Sequence, residues 1–412
     1  MKLFSQKAGE PAPTGETPAG DTPPAGTLDR LERIPADLHR LEKSVTRTWR
    51  ELKELSGLLY HQASLTTEAL GHAGWIDPDE ASDEKALQKV LAAVATDKPI
   101  IVGPWKGEVG FELMYWIPFI AWLQKRAELG ADQLTVVSRG GAAPWYRHIT
   151  RQYVDILDLV SPAEFRDRTA GKKKESDRRG DFDAGLVERV RLDRKLGDVE
   201  TVHPALMYRL FSDLWRKDTS ANHIDSFTTF RRFEPMEPHD TPGVPSDYVV
   251  AKFYFSKCFP DTTENRGLIA EMLNRISREV AVVVLSTDVR VDDHRDYGDA
   301  AGSGIFVIDP FANPSTNLAE QSRLIRGARC FIGTYGGFSY LAPFYGVRSL
   351  SFFSDRSRFD SYHLDIAQRV FSKLLPGGFV VLDRRDLGVV QPAVERWTRD
   401  TDERDAGQAI FD

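Results

Sequence analysis

Short β-branched runs that alternate with longer amphipathic stretches constrain this chain more than any other feature. From Lys98 onward, the runs PIIVG (99–103) and LTVVSRGG (134–141) flank the helical pattern YWIPFIAWLQKRAELG (115–130). Strands that alternate with helices favour a parallel sheet, because parallel neighbours need a crossover connection that a helix supplies. The pattern predicts a first α/β domain over residues 98–235.

The alternation starts again after the proline-rich segment FEPMEPHDTPGVPSD (233–247), which is typical of a linker. The runs YVVAKF (248–253) and VAVVVLS (280–286) flank the helical pattern ENRGLIAEMLNRIS (264–277), and NLAEQSRLIRGARCFIGT (317–334) adds a helix and a strand. We expect a second α/β domain over 246–385, followed by a helix or tail over 386–412. Two such domains create a cleft at the carboxyl ends of their sheets, where ligands of open α/β folds bind.

The N-terminal region differs in composition. Residues 1–27 are rich in Pro, Gly, Ala and Thr, so they bury too little apolar surface to offset the entropy of ordering and are predicted to be a disordered tail. Apolar residues then recur at spacings of three and four from Leu31 to Leu59, which indicates a coiled-coil helix over 28–75 and a homo-oligomer. The alternative is an amphipathic helix packed on its own globular domain.

Charge and composition argue against several classes of protein. The 412 residues carry a formal net charge of -7, which disfavours nucleic acid as the main partner. Cys258 and Cys330 have neither C-x-x-C nor metal-ligand spacing, so we expect no disulfide framework and no metal site. The chain lacks a run of eighteen apolar residues and the apolar core of a secretory signal, and it is predicted to be cytoplasmic.

A charged insertion, RDRTAGKKKESDRRGDFD (166–183), interrupts the first domain and is predicted to be a loop because it has so few apolar residues. Its basic part suggests peripheral contact with anionic headgroups at the inner membrane surface. A solvated loop is the alternative. Asp181 and Asp183 have the Asp-x-Asp spacing of metal-dependent sugar transferases, but they do not follow a predicted strand, so we expect no metal there.

A glycine pair in FIGTYGGFSYLAPFYGV (331–347) is the most specific local signal. A strand is predicted to end at Gly333 and a helix to begin near Phe338. The amides at such a helix start attract anionic oxygen, and glycine lets a phosphate approach the main chain. The predicted phosphate-binding residues are Gly333, Thr334, Tyr335, Gly336, Gly337, Phe338 and Ser339. The alternative is a tight turn that needs positive φ.

Two lysines, Lys252 and Lys257, follow the first strand of the second domain. Ammonium groups bind phosphate as point charges, so these lysines are candidate ligands of a diphosphate in the same domain. Each is otherwise a solvated surface charge. In the first domain, GPWKGEVGFELMYWIPF (103–119) crowds three glycines and the carboxylates of Glu108 and Glu112 into the turn after a strand.

Four of these stretches resemble the lipopolysaccharide heptosyltransferase type of GT-B glycosyltransferase. They are GFELMYWIP (110–118), KCFP (257–260), NLAEQSRLIRGARCFIG (317–333) and GTYGGFSYLAPFYG (333–346). The resemblance extends from about residue 98 to residue 383. It implies two Rossmann-like domains that face a cleft, a nucleotide-sugar donor, a glycan or glycolipid acceptor, no metal cofactor, and inverting transfer of the sugar to a hydroxyl.

The resemblance also assigns residues. Counting back from Pro118 places the catalytic base on Glu112, with Glu108 as the alternate, and the diphosphate contact falls on Lys257. Tyr335 and Tyr340 stand where these relatives carry Asp and His, so the resemblance does not imply an adenine-linked heptose as the donor.

Other candidate residues follow from their positions. Arg139, at a strand end, and Trp105, in the first turn, are predicted acceptor contacts; Arg356 and Arg358 are candidate sugar or phosphate ligands, with a solvated loop as the alternative. Two further functions remain open at this point. One is a GT-B sugar-nucleotide epimerase, and the other is a non-catalytic coiled-coil scaffold that binds glycan or nucleotide.

Overall fold

The computed structural model describes residues 87–88, 91–92, 94–169, 180–237, 242–286, 295–308 and 313–387. They belong to one compact unit, Asp77–Asp412. The predicted tail (1–27) and coiled-coil helix (28–75) lie outside the described residues, as does the C-terminal segment beyond residue 387. Below, the first half means the described residues up to 237 and the second half those from 242.

The first half is built on a four-stranded parallel sheet with the order β3-β2-β1-β4. Its strands are β1 (Ile100–Val102), β2 (Leu134–Ser138), β3 (Gln152–Asp155) and β4 (Glu200–Val202). The two central strands, β1 and β2, are buried along their whole length. Burial on both faces explains why they are almost continuous apolar runs without polar alternation.

The helix after β1 begins earlier than the sequence predicts. Helix α1 consists of Val109–Phe111, a π-helical turn Glu112–Trp116, and Ile117–Arg126, so Pro118 lies inside it and does not open it. Proline has no N–H for an α-helical hydrogen bond, and the amide of Ile117 instead donates to the carbonyl of Glu112, five residues back. The proline and the widened turn therefore occur together at Glu112.

The other helices of the first half correct one prediction. They are α2 (Ile156–Leu159), α3 (Pro162–Thr169), α4 (Asp181–Asp193), α5 (Pro204–Leu210) and α6 (Ser212–Arg216). Both ends of the charged insertion (166–183), predicted to be a loop, are therefore helical, while residues 170–179 lie outside the described part. The reason is that Phe165 of α3 and Val190 of α4, outside the charged window, anchor these helices in the core beneath Ile101 and Val137.

The second half is built on a six-stranded parallel sheet with the order β12-β11-β10-β5-β7-β9. Its strands are β5 (Tyr248–Lys252), β7 (Ala281–Leu285), β9 (Ile305–Ile308), β10 (Cys330–Thr334), β11 (Arg348–Phe353) and β12 (Phe379–Asp383), and β6 (Tyr254–Phe255) pairs with β8 (Arg295–Asp296) in an antiparallel ribbon. The helices are α7 (Thr263–Ile276), α8 (Asn317–Gly327), α9 (Gly337–Phe344) and α10 (Ser361–Leu374). The predicted α/β fold class with two parallel sheets is confirmed.

The two halves share a hydrophobic core. Trp145 donates its indole N–H to the Ser322 hydroxyl at 2.9 Å, and the ring of Phe233 stacks on Phe344 with 4.9 Å between centroids. Phe233 belongs to the segment predicted to be a linker, so the start of that segment packs between the halves. This packing places the carboxyl edges of the two sheets opposite each other.

Candidate active site

Two helix starts, one from each half, touch at the carboxyl edges of the sheets. A Cβ atom added to Gly337, the first residue of α9, would lie 2.8 Å from the amide nitrogen of Gly110 and 3.0 Å from Cγ1 of Val109. No side chain fits there without displacing backbone. The start of α1 and the start of α9 are thus in direct contact where open α/β folds bind their ligands.

The turn before α1 is held by its core. Gly103 has φ +126°, and a Cβ there would overlap the Val137 carbonyl, while the amide of Trp105 donates to that carbonyl at 2.9 Å. The Trp105 side chain is buried and stacks on Trp116 and Tyr208, with centroid distances of 5.7 and 6.3 Å. Trp105, predicted to contact the acceptor, is a core residue instead, because three aromatic rings stack on one another here.

Arg139 also lies inside the first half. Its guanidinium is buried and donates to the carbonyl of Gly107, while its Nε atom has no hydrogen-bond partner within the described part of the chain. Arg139 follows β2 and so reaches the neighbouring turn after β1. Its side chain braces this turn, and the predicted contact with an acceptor has no exposed guanidinium to make it.

Glu112 is fully buried, with 0% of its surface exposed. Its Oε1 accepts hydrogen bonds from Ser138 at 2.5 Å and Tyr146 at 2.7 Å, and its Oε2 has no partner among the described residues. Burial raises the pKa of Glu112 to about 7, against the opposing effects of Arg139 and the two hydroxyls. This carboxyl group can change protonation near neutral pH, but it has no open path to a substrate in this conformation.

Glu108 has the opposite environment. It is the N-cap residue of Val109–Phe111, it is only half-buried, and its side chain makes no capping hydrogen bond. Its carbonyl accepts the Glu112 amide at 3.1 Å. Glu108 therefore presents an accessible carboxyl group next to the contact between Val109–Gly110 and Gly337.

The turn before α9 is shaped by hydroxyl groups. Gly336 has φ +147°, and a Cβ there would overlap the Tyr254 hydroxyl. The Ser339 hydroxyl accepts the Gly336 amide at 3.1 Å and donates to the Gly336 carbonyl at 2.7 Å. Thr334 Oγ1 similarly accepts from the Tyr254 amide at 3.0 Å and donates to its carbonyl at 2.8 Å. The amides of the half-buried Gly337 and Phe338 find no acceptor in the described residues.

The remaining residues predicted around the turn before α9, hereafter the second turn, divide into two groups. Gly333 lies within β10, where a Cβ would overlap the Lys252 carbonyl on the adjacent strand, so its role is packing. Lys252 is buried, pairs with Asp296 at 2.8 Å, and lies 4.6 Å from the centre of the Phe338 ring. Lys257 is exposed on the loop after β6. Lys252 thus supports the turn from below, and Lys257 is the lysine that is open to a ligand.

Tyr335 and Tyr340, at the positions where the resembled family carries Asp and His, form a buried pair. The Tyr340 hydroxyl donates to the Tyr335 hydroxyl at 2.8 Å, and burial raises the pKa of both groups, that of Tyr335 well above its usual value. Both phenols stay neutral at physiological pH. The second turn therefore carries no negative charge of its own beside the free amides.

One polar cluster was missed by the sequence analysis. The buried carboxylate of Asp183, at the start of α4, pairs with Lys106 and lies 3.6 Å from His203 Nε2. Burial would raise the pKa of Asp183, but the neighbouring His203 and Lys106 side chains lower it to about 2. His203 follows β4 and Lys106 follows the adjacent β1, so adjacency of strand ends was the signal available. Through the Asp183–Lys106 pair, this cluster connects the start of α4 to the carboxyl edge of the sheet.

Of the two arginines predicted after β11, Arg356 is paired and Arg358 is exposed. Arg356 donates to Asp383 at 2.5 Å, and Arg385 shares the same carboxylate. Within the described ranges, no group of three or more His, Cys, Asp or Glu side chains is arranged to hold a metal ion. The helices among the described residues are all too short or too polar to cross a membrane.

Comparisons with known proteins give matches in structure alone. No family model matches the chain, and no curated protein matches it with statistical significance. The chain is similar in fold to E. coli heptosyltransferase WaaC with ADP, at 12% identity, 72% of this chain and 99% of that one, and a TM-score of 0.37. It is also similar to the glycosyl transferase family 9 protein from Veillonella parvula, at 12% identity, 76% and 97% coverage, and a TM-score of 0.42.

A third match is E. coli ADP-heptose lps heptosyltransferase II, at 12% identity, 67% and 97% coverage, and a TM-score of 0.40. Overlaps of this size carry no argument about activity, and the case for an activity rests on the residues.

Proposed function

We propose that this protein transfers a sugar from a nucleotide-sugar donor to a hydroxyl of a glycan or glycolipid, without a metal ion. The observation that carries the proposal is the contact of Val109 and Gly110 with Gly337. It sets a half-buried carboxylate of the first half, Glu108, near free helix-start amides of the second half, at Gly337 and Phe338. A base and an anion-binding turn are the two groups that such a displacement requires.

The second turn suits the diphosphate of the donor. The free amides of Gly337 and Phe338 point out of the start of α9, and backbone N–H groups at a helix start bind phosphate oxygen. The exposed ammonium of Lys257 is the mobile positive charge that meets the same diphosphate from the loop after β6. Together these groups stabilise the negative charge that develops on the diphosphate as its bond to the sugar breaks.

The turn before α1, hereafter the first turn, supplies the base. The environments of its two glutamates favour Glu108 over Glu112. A base must come within hydrogen-bond reach of the acceptor hydroxyl. Glu112 is enclosed and already accepts hydrogen bonds from two hydroxyl groups, whereas Glu108 is only half-buried and its side chain makes no capping hydrogen bond. We therefore give Glu108 the role of base. Glu112 acts through the π-helical turn, by holding Ser138 and Tyr146 against the start of α1.

The reaction proposed is a direct displacement. The acceptor oxygen bonds to the anomeric carbon while the bond from that carbon to the diphosphate breaks, the hydroxyl proton moves to Glu108, and the electron pair leaves with the diphosphate. Attack from the face opposite the leaving group inverts the anomeric centre. The acceptor approaches from the first half, because Glu108 belongs to it.

A pair of isosteric variants tests the proposal. The wild type is first screened with UDP-, GDP-, dTDP- and ADP-linked sugars by thermal shift, and turnover of the stabilising donor is then measured. Glu108→Gln should lower turnover roughly a hundredfold or more with donor affinity unchanged, since general base catalysis contributes about that much. Glu128→Gln, at an exposed position after α1, is the control.

The outcomes separate the two glutamates. If Glu112→Gln abolishes transfer and Glu108→Gln does not, the base is the residue that the family motif assigns. If neither variant changes turnover, or no nucleotide sugar binds, sugar transfer by this pair of turns is wrong.

Two further parts of the proposal concern segments that lie wholly or largely outside the described residues. We propose that residues 28–75 join copies of the chain, which deletion of residues 1–60 and mass measurement by light scattering tests; an unchanged mass would refute it. We also propose that the protein acts in the cytoplasm, with the basic segment 166–179 facing anionic lipid. Sedimentation with anionic and with neutral vesicles tests this contact.

A further inference from the structure

A cavity of about 440 Å³ lies between the halves, away from the two helix starts. Its first wall comes from the loop after β2, the end of β3 and the end of α4, and its second wall from the start of α8. None of its lining residues belongs to the turns that carry Glu108 and Gly337. The volume lies in the range of small-molecule sites in proteins.

The halves meet tightly beside this cavity. A Cβ atom added to Gly141 would lie 2.8 Å from Cα of Thr316, and the Leu318 amide donates to the Gly140 carbonyl at 2.6 Å. The two walls are thus fixed relative to each other by main-chain contacts. A ligand in the cavity touches both halves without requiring them to move.

Arginine side chains supply positive charge on both walls. Arg147, from the loop after β2, is half-buried and makes no hydrogen bond or ion pair with the described residues. Arg323, from α8 on the opposite wall, pairs with Glu320 of its own helix. Arg194 donates to the Tyr153 carbonyl at 3.0 Å. Guanidinium groups match phosphate and carboxylate geometry, so Arg147 and Arg323, which line the cavity from opposite walls, are the candidate ligands of an acidic group.

Carboxylates on the first wall complete the polar lining. Asp155 is saturated, because it accepts the amides of Gly140, Gly141 and Leu157 and the hydroxyl of Tyr153. Asp158 and Asp193 are exposed at the cavity, and Asp193 approaches Arg189 of its own helix at 3.9 Å through Oδ2, which leaves its Oδ1 to a ligand. Carboxylate oxygens accept hydrogen bonds from sugar hydroxyls. The cavity therefore offers donors for an acidic group and acceptors for hydroxyl groups.

We propose that this cavity binds a sugar-sized ligand that carries a phosphate or a carboxylate group, at a site separate from the two helix starts. The acidic group lies between Arg147 and Arg323, and the hydroxyls face Asp158 and Asp193. The site does not rest on the proposed sugar transfer, because its test is binding alone.

The test is isothermal titration calorimetry, which measures the affinity of the full-length protein for glucose 6-phosphate, glucuronate and glucose. We expect at least one acidic sugar to bind tenfold or more tightly than glucose, and Arg147→Gln and Arg323→Gln each to weaken that binding at least tenfold. Arg151→Gln is the matched control, because Arg151 is exposed and pairs with Glu234 outside the cavity. The phosphate and carboxylate probes show which acidic group the site prefers.

A second variant separates filling of the cavity from loss of charge. Ala143→Phe keeps every charge but fills the cavity from its wall, and it should abolish binding of the acidic sugar with an unchanged melting temperature. Lys257→Ala should leave this binding unchanged. Loss of binding in Lys257→Ala with wild-type affinity in the cavity variants would place the ligand at the second helix start and overturn the proposal, as would failure of both acidic sugars to bind.

Discussion

The turns after β1 and β10 both follow the carboxyl end of an interior strand of a parallel sheet, but they are held in place by different chemistry. Charged side chains inside the protein hold the first, where Arg139 braces Gly107, Asp183 pairs with Lys106, and Glu112 is enclosed. Hydroxyl groups and glycine geometry hold the second, through Thr334 and Ser339, and the buried Lys252, paired with Asp296, supports it.

The difference shows how the same topology serves two roles. Burying charge costs free energy unless the charges are paired and hydrogen-bonded, so the first turn is specified by partners that must all be present. The hydroxyls that bond to the second turn are neutral, the Lys252 that supports it is paired with Asp296, and the amides at its helix start have no acceptor among the described residues. In the proposed reaction, the first turn places the carboxylate and the second receives the diphosphate.

The largest expected effect tests whether a buried ionisable group, Glu112, distinguishes the turn after β1 from the turn after β10. Burial raises the pKa of Glu112 to about 7 from 4.5, so the folded protein holds this proton more tightly than the unfolded chain. Glu112 therefore stabilises the folded protein fully below pH 4.5, where it is protonated in both states. This stabilisation is lost as the pH rises from 4.5 to 7, and the free energy of unfolding falls by about 3 kcal/mol. Glu112→Gln should lack this part of the pH dependence in urea unfolding at pH 4.5 and pH 8.

Glu271→Gln serves as its control, since Glu271 is exposed on α7. A wild-type pH slope in Glu112→Gln would mean that the buried carboxyl group does not distinguish the first turn. Asp155, whose pKa burial raises to about 6, contributes a slope of the same sign in both proteins.

The next effect concerns the second turn. If an exposed lysine and free amides form the anion site, Lys257→Ala should weaken binding of a nucleoside diphosphate by about 1.5–3 kcal/mol, the cost of losing a charge-assisted hydrogen bond. Calorimetry with UDP and ADP measures it. Lys125→Ala, at an exposed lysine of α1, is the control. Equal affinity in both variants would move the diphosphate away from this turn.

The smallest expected effect tests the contact between the turns. Gly337→Ala places a methyl group against the Gly110 amide and Val109, and crowding of this kind costs about 1–3 kcal/mol. Gly267→Ala, in α7 with open space around the added Cβ, should instead stabilise the protein by about 0.5–1 kcal/mol. Thermal unfolding compares the two. If Gly337→Ala is as stable as Gly267→Ala, the turns do not meet in solution.

Local pattern was sufficient for most of the secondary structure. The β-branched runs predicted β1, β2, β5, β7 and β10, and the apolar periodicity between them predicted α7 and α8, because side-chain periodicity is a property of neighbours in sequence. The prediction was wrong at the ends of the charged insertion. There, Phe165 and Val190 anchor helices from outside the charged window.

The sequence by itself determined the α/β class, the two parallel sheets and the glycine turns that follow their central strands. Only the tertiary structure decided which polar residues are enclosed. Trp105 and Arg139 follow strand ends and Glu112 lies in the next helix, as exposed site residues do, yet all three are buried and contact Tyr208, Gly107 and Tyr146 from elsewhere in the chain. Burial depends on contacts between residues far apart in sequence, as does the approach of Gly110 to Gly337, and no local pattern carries that information.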